Sequence, residues 1–159
     1  SNLQANMENP DSLALIAGES YYNAVEHLEN NGQVGKLALM ALGGWIESMH
    51  ITLNSMEKVD LGSAMVSRVA DQKITFNNLY SYLQSHKNEI GVEQELERVQ
   101  RIKAVFDGLE QVKSTSTKKK IGGKLIFGKG NKIQITIEQF LELQAAVKIY
   151  RVNTVGQNS

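Results

Sequence analysis

Cysteine is absent from this 159-residue chain. That excludes thiol catalysis, thiolate-bound metal and disulfides, and it leaves the compartment open. Charge of one sign is also lacking. Lys+Arg and Asp+Glu both number 17, so no global basicity argues for nucleic acid. Long apolar runs are missing. The nearest candidate, Lys36 to Met56, is interrupted by Glu47, Ser48, His50, Thr52, Asn54 and Ser55, and no run reaches the ~18 residues of a membrane span. Aromatic residues make up only 6 % of the chain, and in its most basic stretch Phe127 is the sole base-stacking aromatic, so nucleic acid is not expected as a partner. The three histidines form no Ser-His-Asp or metal-spacing pattern. There is no internal repeat.

What is present reads as helix. The stretch Leu37 to Ile46 carries no charge and is apolar nearly all round, the pattern of a helix at the centre of a core. It holds the only Trp, Trp45, beside Gly43-Gly44. Two glycines inside a helix cost roughly 1 kcal/mol each against alanine. Either a neighbouring helix approaches closely there, or a ligand space lies under Trp45. Tyr21, Tyr22, Tyr80 and Tyr82 are further candidates to line a groove between helices, against the simpler reading that they are core.

Residues 1–9 are expected to be disordered, and Ser1-Asn2 looks like a cleaved-tag remnant. Asn9-Pro10-Asp11-Ser12 starts a helix, with Leu13, Ala17, Tyr21, Ala24, Val25 and Leu28 inward and Gly32 past its end. A second helix runs to about Glu57. Asp60 is expected to cap a third over about 61–87, with Leu61, Met65, Val69, Phe76, Leu79, Tyr80 and Leu83 inward. A fourth begins at Val92 and carries the cleanest amphipathic stripe, from Val92 and Leu96 through Phe106 to Leu109. Four long helices with short joints predict an up-down-up-down bundle.

The composition changes after Lys113. Residues 113–123 are expected to form a flexible Lys-rich linker. Lys124–Phe127 and Lys132–Thr136 flank a Gly/Asn turn, which predicts a β-hairpin over 124–136 with one apolar and one basic face. Thr136 and Gln139 form a capping box opening a fifth helix, 137–152, with Ile137, Phe140, Leu141, Val147 and Tyr150 inward. Residues 153–159 are expected to be a tail. The fold class is therefore mainly α: a four-helix bundle with an appended β-hairpin and a fifth C-terminal helix, in a single domain over 10–152.

Three constellations invite a chemical reading. Gly123 to Gly130 has the G-x4-G-K spacing of a P-loop, but Gly130 stands where a Ser or Thr must reach magnesium. Glu47-x-x-His50 is one half of a di-iron carboxylate pattern, without a second pair. Lys113, Lys118, Lys119, Lys120, Lys124, Lys129 and Lys132 form a run with no acid among them, while residues 8–60 hold eight acids against two lysines. Such lopsidedness suits either a solvated ribbon edge or contact with an anionic surface or an acidic partner protein.

Leu42-Gly-Gly-Trp-Ile-Glu-Ser-Met49, then Arg68-Val-Ala-Asp-Gln-Lys73 and the segment Leu79 to Leu83, resemble uncharacterised exported helical-bundle lipoproteins of Bacteroidetes-type bacteria. The resemblance covers about the first 110 residues. It implies a periplasmic or lipid-anchored setting and an all-helical bundle, with no reaction and no functional residues attached. The expected function is a non-enzymatic binding domain of the cell envelope, with no catalytic residue, cofactor or metal assigned. Its candidate residues are Lys118, Lys119, Lys120, Lys124, Lys129 and Lys132 for an anionic partner, and Gly43, Gly44, Trp45, Tyr21 and Tyr80 for a groove. The alternatives are a ligand-sensing bundle and a metal enzyme using Glu47 and His50.

Overall fold

The computed structural model describes residues 9–56, 58–113, 118–121, 124–127 and 131–155. The elements run α1 (Pro10–Asn30), α2 (Val34–Asn54), α3 (Ala64–Ser85), α4 (Val92–Arg98), α5 (Gln100–Asp107), β1 (Gln111–Lys113), β2 (Lys118–Ile121), β3 (Lys124–Phe127), β4 (Asn131–Ile133) and α6 (Ile137–Val155). This is a helical bundle with an appended antiparallel hairpin.

Local signals set most of the helix ends. The Asn9 side chain accepts from the Asp11 and Ser12 amides, and Pro10 occupies the first turn, where its missing N–H costs nothing. Gly32 adopts φ 64° after α1, a left-handed conformation that glycine enters without strain. α3 starts later than Asp60 suggested. Ser63 is its cap, its hydroxyl accepting from the Val66 amide, while Asp60 is spent on the turn, accepting from Gly62 N. α4 and α5 are one helix interrupted at Val99, and the Val99→Glu95 and Lys103→Val99 backbone bonds carry the pattern across the break. The capping box at α6 forms in both directions: Thr136 N donates to Gln139 Oε1 at 2.9 Å, and Gln139 N donates to Thr136 Oγ1 at 3.2 Å.

The core is built from α2, α3, α4–α5 and α6. α2 lies at its centre and presents Ala38, Leu42, Ile46, Met49 and Leu53, all buried. α6 runs antiparallel to it, since Gln144 Nε2 donates to Leu53 O while Arg151 Nε donates to Glu47 Oε1. The fourth wall of the bundle is therefore α6 and not α1. α1 lies against α2, and none of its residues from 11 to 30 is buried. Its predicted inward stripe is only half-covered, and Tyr21 is exposed. Leu61 and Met65 are likewise exposed, as are Ile137 and Leu141 on α6. Leu61 lies in the turn before α3, and Ile137 and Leu141 lie on the face of α6 opposite Phe140, Val147 and Tyr150, so the inward stripe expected there joined two faces.

The predicted hairpin differs in its pairing. β3 does not pair with β4. β2 pairs with β3 and β1 pairs with β4, both antiparallel. Ile121 is the partner of Lys124, so the two-residue connection between β2 and β3 is Gly122-Gly123. Gly-Gly is itself a strong short-hairpin signal in the sequence, and the expectation passed over it in favour of Gly128–Asn131. Residues 118–121, expected as flexible linker, are thus a strand, while 114–117, 122–123 and 128–130 of the expected turn, the candidate Lys129 among them, lie outside the described residues. The expected tail begins later too: residues 153–155 belong to α6, and 156–159 lie outside the described residues.

Candidate functional site

The Lys-rich segment stands on a firm footing. Lys73 Nζ donates to Leu109 O at 2.7 Å, Gln139 Nε2 donates to Gly108 O at 2.9 Å, and Gln134 N donates to Glu110 O at 2.9 Å. Ile133 and Ile135 are buried against the bundle, so the second arm enters the core through alternate residues, while Lys132 before them and Gln134 between them are exposed. At this base lies a groove of about 530 Å³. Leu61, Val66 and Ala70 line it from the helical side, and Lys132 and Gln134 from the strand side.

Beyond the base, the register of β2 with β3 sets the chemistry. Its partners are Lys118↔Phe127, Lys119↔Ile126, Lys120↔Leu125 and Ile121↔Lys124. Every rung joins one lysine position to one apolar position. Successive rungs alternate between the two faces of a ribbon, so the register distributes lysine positions over both. The expected division into one apolar and one basic face would have needed β3 to pair with β4.

The residues proposed for a helical groove do not come together. Trp45 is part of the core: its indole N–H donates to Gln72 Oε1 at 3.1 Å, and its ring lies 4.9 Å from Phe76 and 6.0 Å from Phe106. Tyr80 continues this aromatic row, 6.1 Å from Phe76, and its hydroxyl accepts from Gln100 Nε2 at 2.7 Å. Tyr21 packs edge-on against Tyr22 out on α1. Gly43 and Gly44 are exposed, and a Cβ at either would meet nothing within 4 Å. The close-approach reading of this pair is overturned. The glycine that does permit close approach is Gly35, where a Cβ would overlap the Glu89 side chain. Its sequence signal, a single Gly in the first turn of a helix, is too common to have singled it out.

Gly43 does line a groove, between α2 and α6. It is about 350 Å³, largely apolar, and bordered by Leu39, Ile46, Glu47, Glu95, Tyr150 and Arg151. Glu95 anchors one side, accepting from Arg98 Nη1 at 2.6 Å and from the Tyr150 hydroxyl at 2.5 Å. Burial first, and the Glu95 carboxylate second, push the Tyr150 phenol well above its ordinary range. An unfolded tyrosine titrates near ~10. Above that pH the unfolded chain releases a proton that the folded chain retains, so stability falls as pH rises; below it the contribution is fully present. Urea melts are therefore expected to show a steeper alkaline loss of stability in wild type than in Tyr150→Phe. Identical pH profiles would remove Tyr150 from the account.

Glu47 and His50 are engaged separately. Glu47 pairs with Arg151 at 2.7 Å, and the His50 ring lies 3.2 Å from the Asn54 amide. Among the described residues, no three His, Cys, Asp or Glu side chains cluster in a way that would hold a metal. The P-loop-like stretch falls partly outside the described residues, and its inner four residues form strand β3. No helix among the described residues is long and apolar enough to cross a membrane. Comparison with family models, curated proteins and solved structures gives no match.

Proposed function

We propose that this chain is a non-enzymatic binding domain of the bacterial cell envelope, and that its Lys-rich ribbon meets an anionic partner. The observation that carries the reading is the β2–β3 register, which sets lysine against an apolar residue at every rung of a ribbon anchored at its base. No acid interrupts the sequence from 111 to 137. Alternating cation and apolar positions suit a surface that is charged outside and oily beneath, which favours anionic lipid over a purely polar partner. Placement in the envelope rests on the resemblance of residues 36–56 and 68–84.

The test is co-sedimentation with phosphatidylcholine vesicles, with and without phosphatidylglycerol. Each lysine near an anionic surface contributes roughly 1 kcal/mol. Changing Lys118, Lys119, Lys120 and Lys129 together to Gln is expected to weaken binding on the order of several hundredfold, since each 1.4 kcal/mol is tenfold. The melting temperature should stay put, because exposed charges add little to stability. Raising the salt should weaken the wild type and scarcely change the variant. Equal sedimentation of the two proteins would end the proposal.

The α2–α6 groove favours a second reading, a ligand-sensing bundle. Its apolar lining and convergent Glu95, Tyr150 and Arg151 are the ordinary make-up of a small-molecule site. A metal enzyme built on Glu47 and His50 has less support, because the Glu47 carboxylate already neutralises Arg151.

A further inference from the structure

α2 and α3 run antiparallel and are tied at two points. Toward one end the Trp45 indole N–H donates to Gln72 Oε1 at 3.1 Å, and toward the other the Ser55 hydroxyl lies 3.8 Å from Met65 Sδ. Between the helices lies a groove of about 520 Å³. Its α2 wall carries Ser48, Met49 and Thr52, which share one helical face, and its α3 wall carries Met65, Arg68 and Gln72 in the same way.

The charge in this groove is uncompensated. Arg68 is the sole charged residue of the lining, and no acid faces it there. Its guanidinium makes no ion pair or hydrogen bond among the described residues, and exposed Asp71, three residues on, does not pair with it. The α2–α6 groove differs: Glu47 holds Arg151, and Glu95 holds Arg98. Gln72 adds a second donor. An indole N–H only donates, so the amide oxygen must face Trp45, which leaves the Gln72 NH₂ group to donate elsewhere. The Ser48 hydroxyl is a third. Away from these donors the groove is floored by Met49 and Val69 and flanked by Met65 and Ala64. The Thr52 hydroxyl is already committed to Ser48 O at 2.8 Å, so this part offers methyl and thioether groups and nothing that would hydrogen-bond a peptide backbone.

We propose that the α2–α3 groove binds a small monocarboxylate with an unbranched apolar chain. Arg68 takes the carboxylate in a charge-assisted pair, with Gln72 and Ser48 as supporting donors. The chain lies over Met49 toward Met65, whose flexible side chains adapt to it. The site is distinct from the Lys-rich ribbon and from the α2–α6 groove. An open groove and a ligand this small belong in the range of about 0.1–1 mM.

Octanoate is the probe, measured by equilibrium dialysis and by the emission of Trp45, the only tryptophan. Saturable binding of one octanoate per chain is expected, with a change in Trp45 emission because Gln72 joins the ring to the site. Shortening the chain to hexanoate should weaken binding by about threefold for each methylene removed. Octanol and octylammonium should bind at least about tenfold more weakly, and so should octanoate to Arg68→Gln, since hydrogen bonds to charged groups are the strong ones. Arg68 is exposed, so the melting temperature should not move. Arg68→Glu is expected to reverse the preference toward octylammonium, a gain that a misfolded chain could not show. Arg151→Gln should bind octanoate as wild type does. No saturable binding up to about 10 mM would overturn the proposal. So would octanoate binding that survives in Arg68→Gln, or that is lost in Arg151→Gln instead. Tighter binding of N-acetyl-leucine than of octanoate would overturn the unbranched chain in favour of a peptide C-terminus.

Discussion

Phe76→Ala is expected to cost ~3–5 kcal/mol, the range for truncating a fully buried aromatic. Phe76 is 0 % exposed and sits at the crossing of the aromatic row, 4.9 Å from Trp45, 5.3 Å from Phe106 and 6.1 Å from Tyr80. Its loss removes transfer free energy, leaves a void shared by three rings, and deletes ring pairs worth about 0.5–1.5 kcal/mol each beyond their burial. For a chain of this size each kcal/mol moves the melting temperature by roughly 2–4 °C. The variant should thus melt about 6–20 °C lower, with a weakened near-ultraviolet signal from Trp45. Ile74, two residues earlier on the same helix but exposed, is the control. Ile74→Ala is expected to stay within about 0.5 kcal/mol of wild type. If the two variants melt together, α3 does not face the core as described.

Gly43→Ala with Gly44→Ala is expected to stabilise the protein. The two glycines sit mid-helix, and a Cβ at either has open space around it. Replacing each by alanine removes a propensity penalty of roughly 1 kcal/mol, so the pair should gain about 2 kcal/mol. A melting temperature raised by roughly 4–8 °C is the expected reading. Had the pair admitted a neighbouring helix, the same change would have been destabilising by overpacking. The variant also addresses the α2–α6 groove, because a methyl group at position 43 enters its lining. A stabilised protein that binds apolar probes less well would favour the ligand-sensing reading. A lowered melting temperature would show that a neighbour contacts this face after all.

The local steps of the fold were legible in the sequence. Asn9-Pro10, Gly32 and the Thr136–Gln139 box each declare a helix end through bonds between residues at most three or four apart. The stripe from Val92 to Leu109 is equally local, since helical period alone fixes which side chains share a face. The Lys run was legible as charge, although its strand pairing was misassigned. There, two turn signals lie close together in one chain, and β3 pairs with the preceding strand β2 and not with β4.

The sequence by itself determined a mainly helical chain, the helix order and the apolar stripe of the helix pair from Val92 to Leu109. It also determined an acid-free run of lysines over residues 113–132 and an excess of acid over lysine in residues 8–60. Only the tertiary structure decided which apolar faces are covered. α6, distant in sequence, closed the bundle against α2 and left α1 outside, turned Tyr21 and Leu141 to the surface, and exposed Gly43 and Gly44 in place of burying them. Propensity and periodicity act within a few residues and say which face of a helix seeks burial. Which partner supplies it depends on the packing of all helices at once, and the bundle had one more helix than its core could enclose.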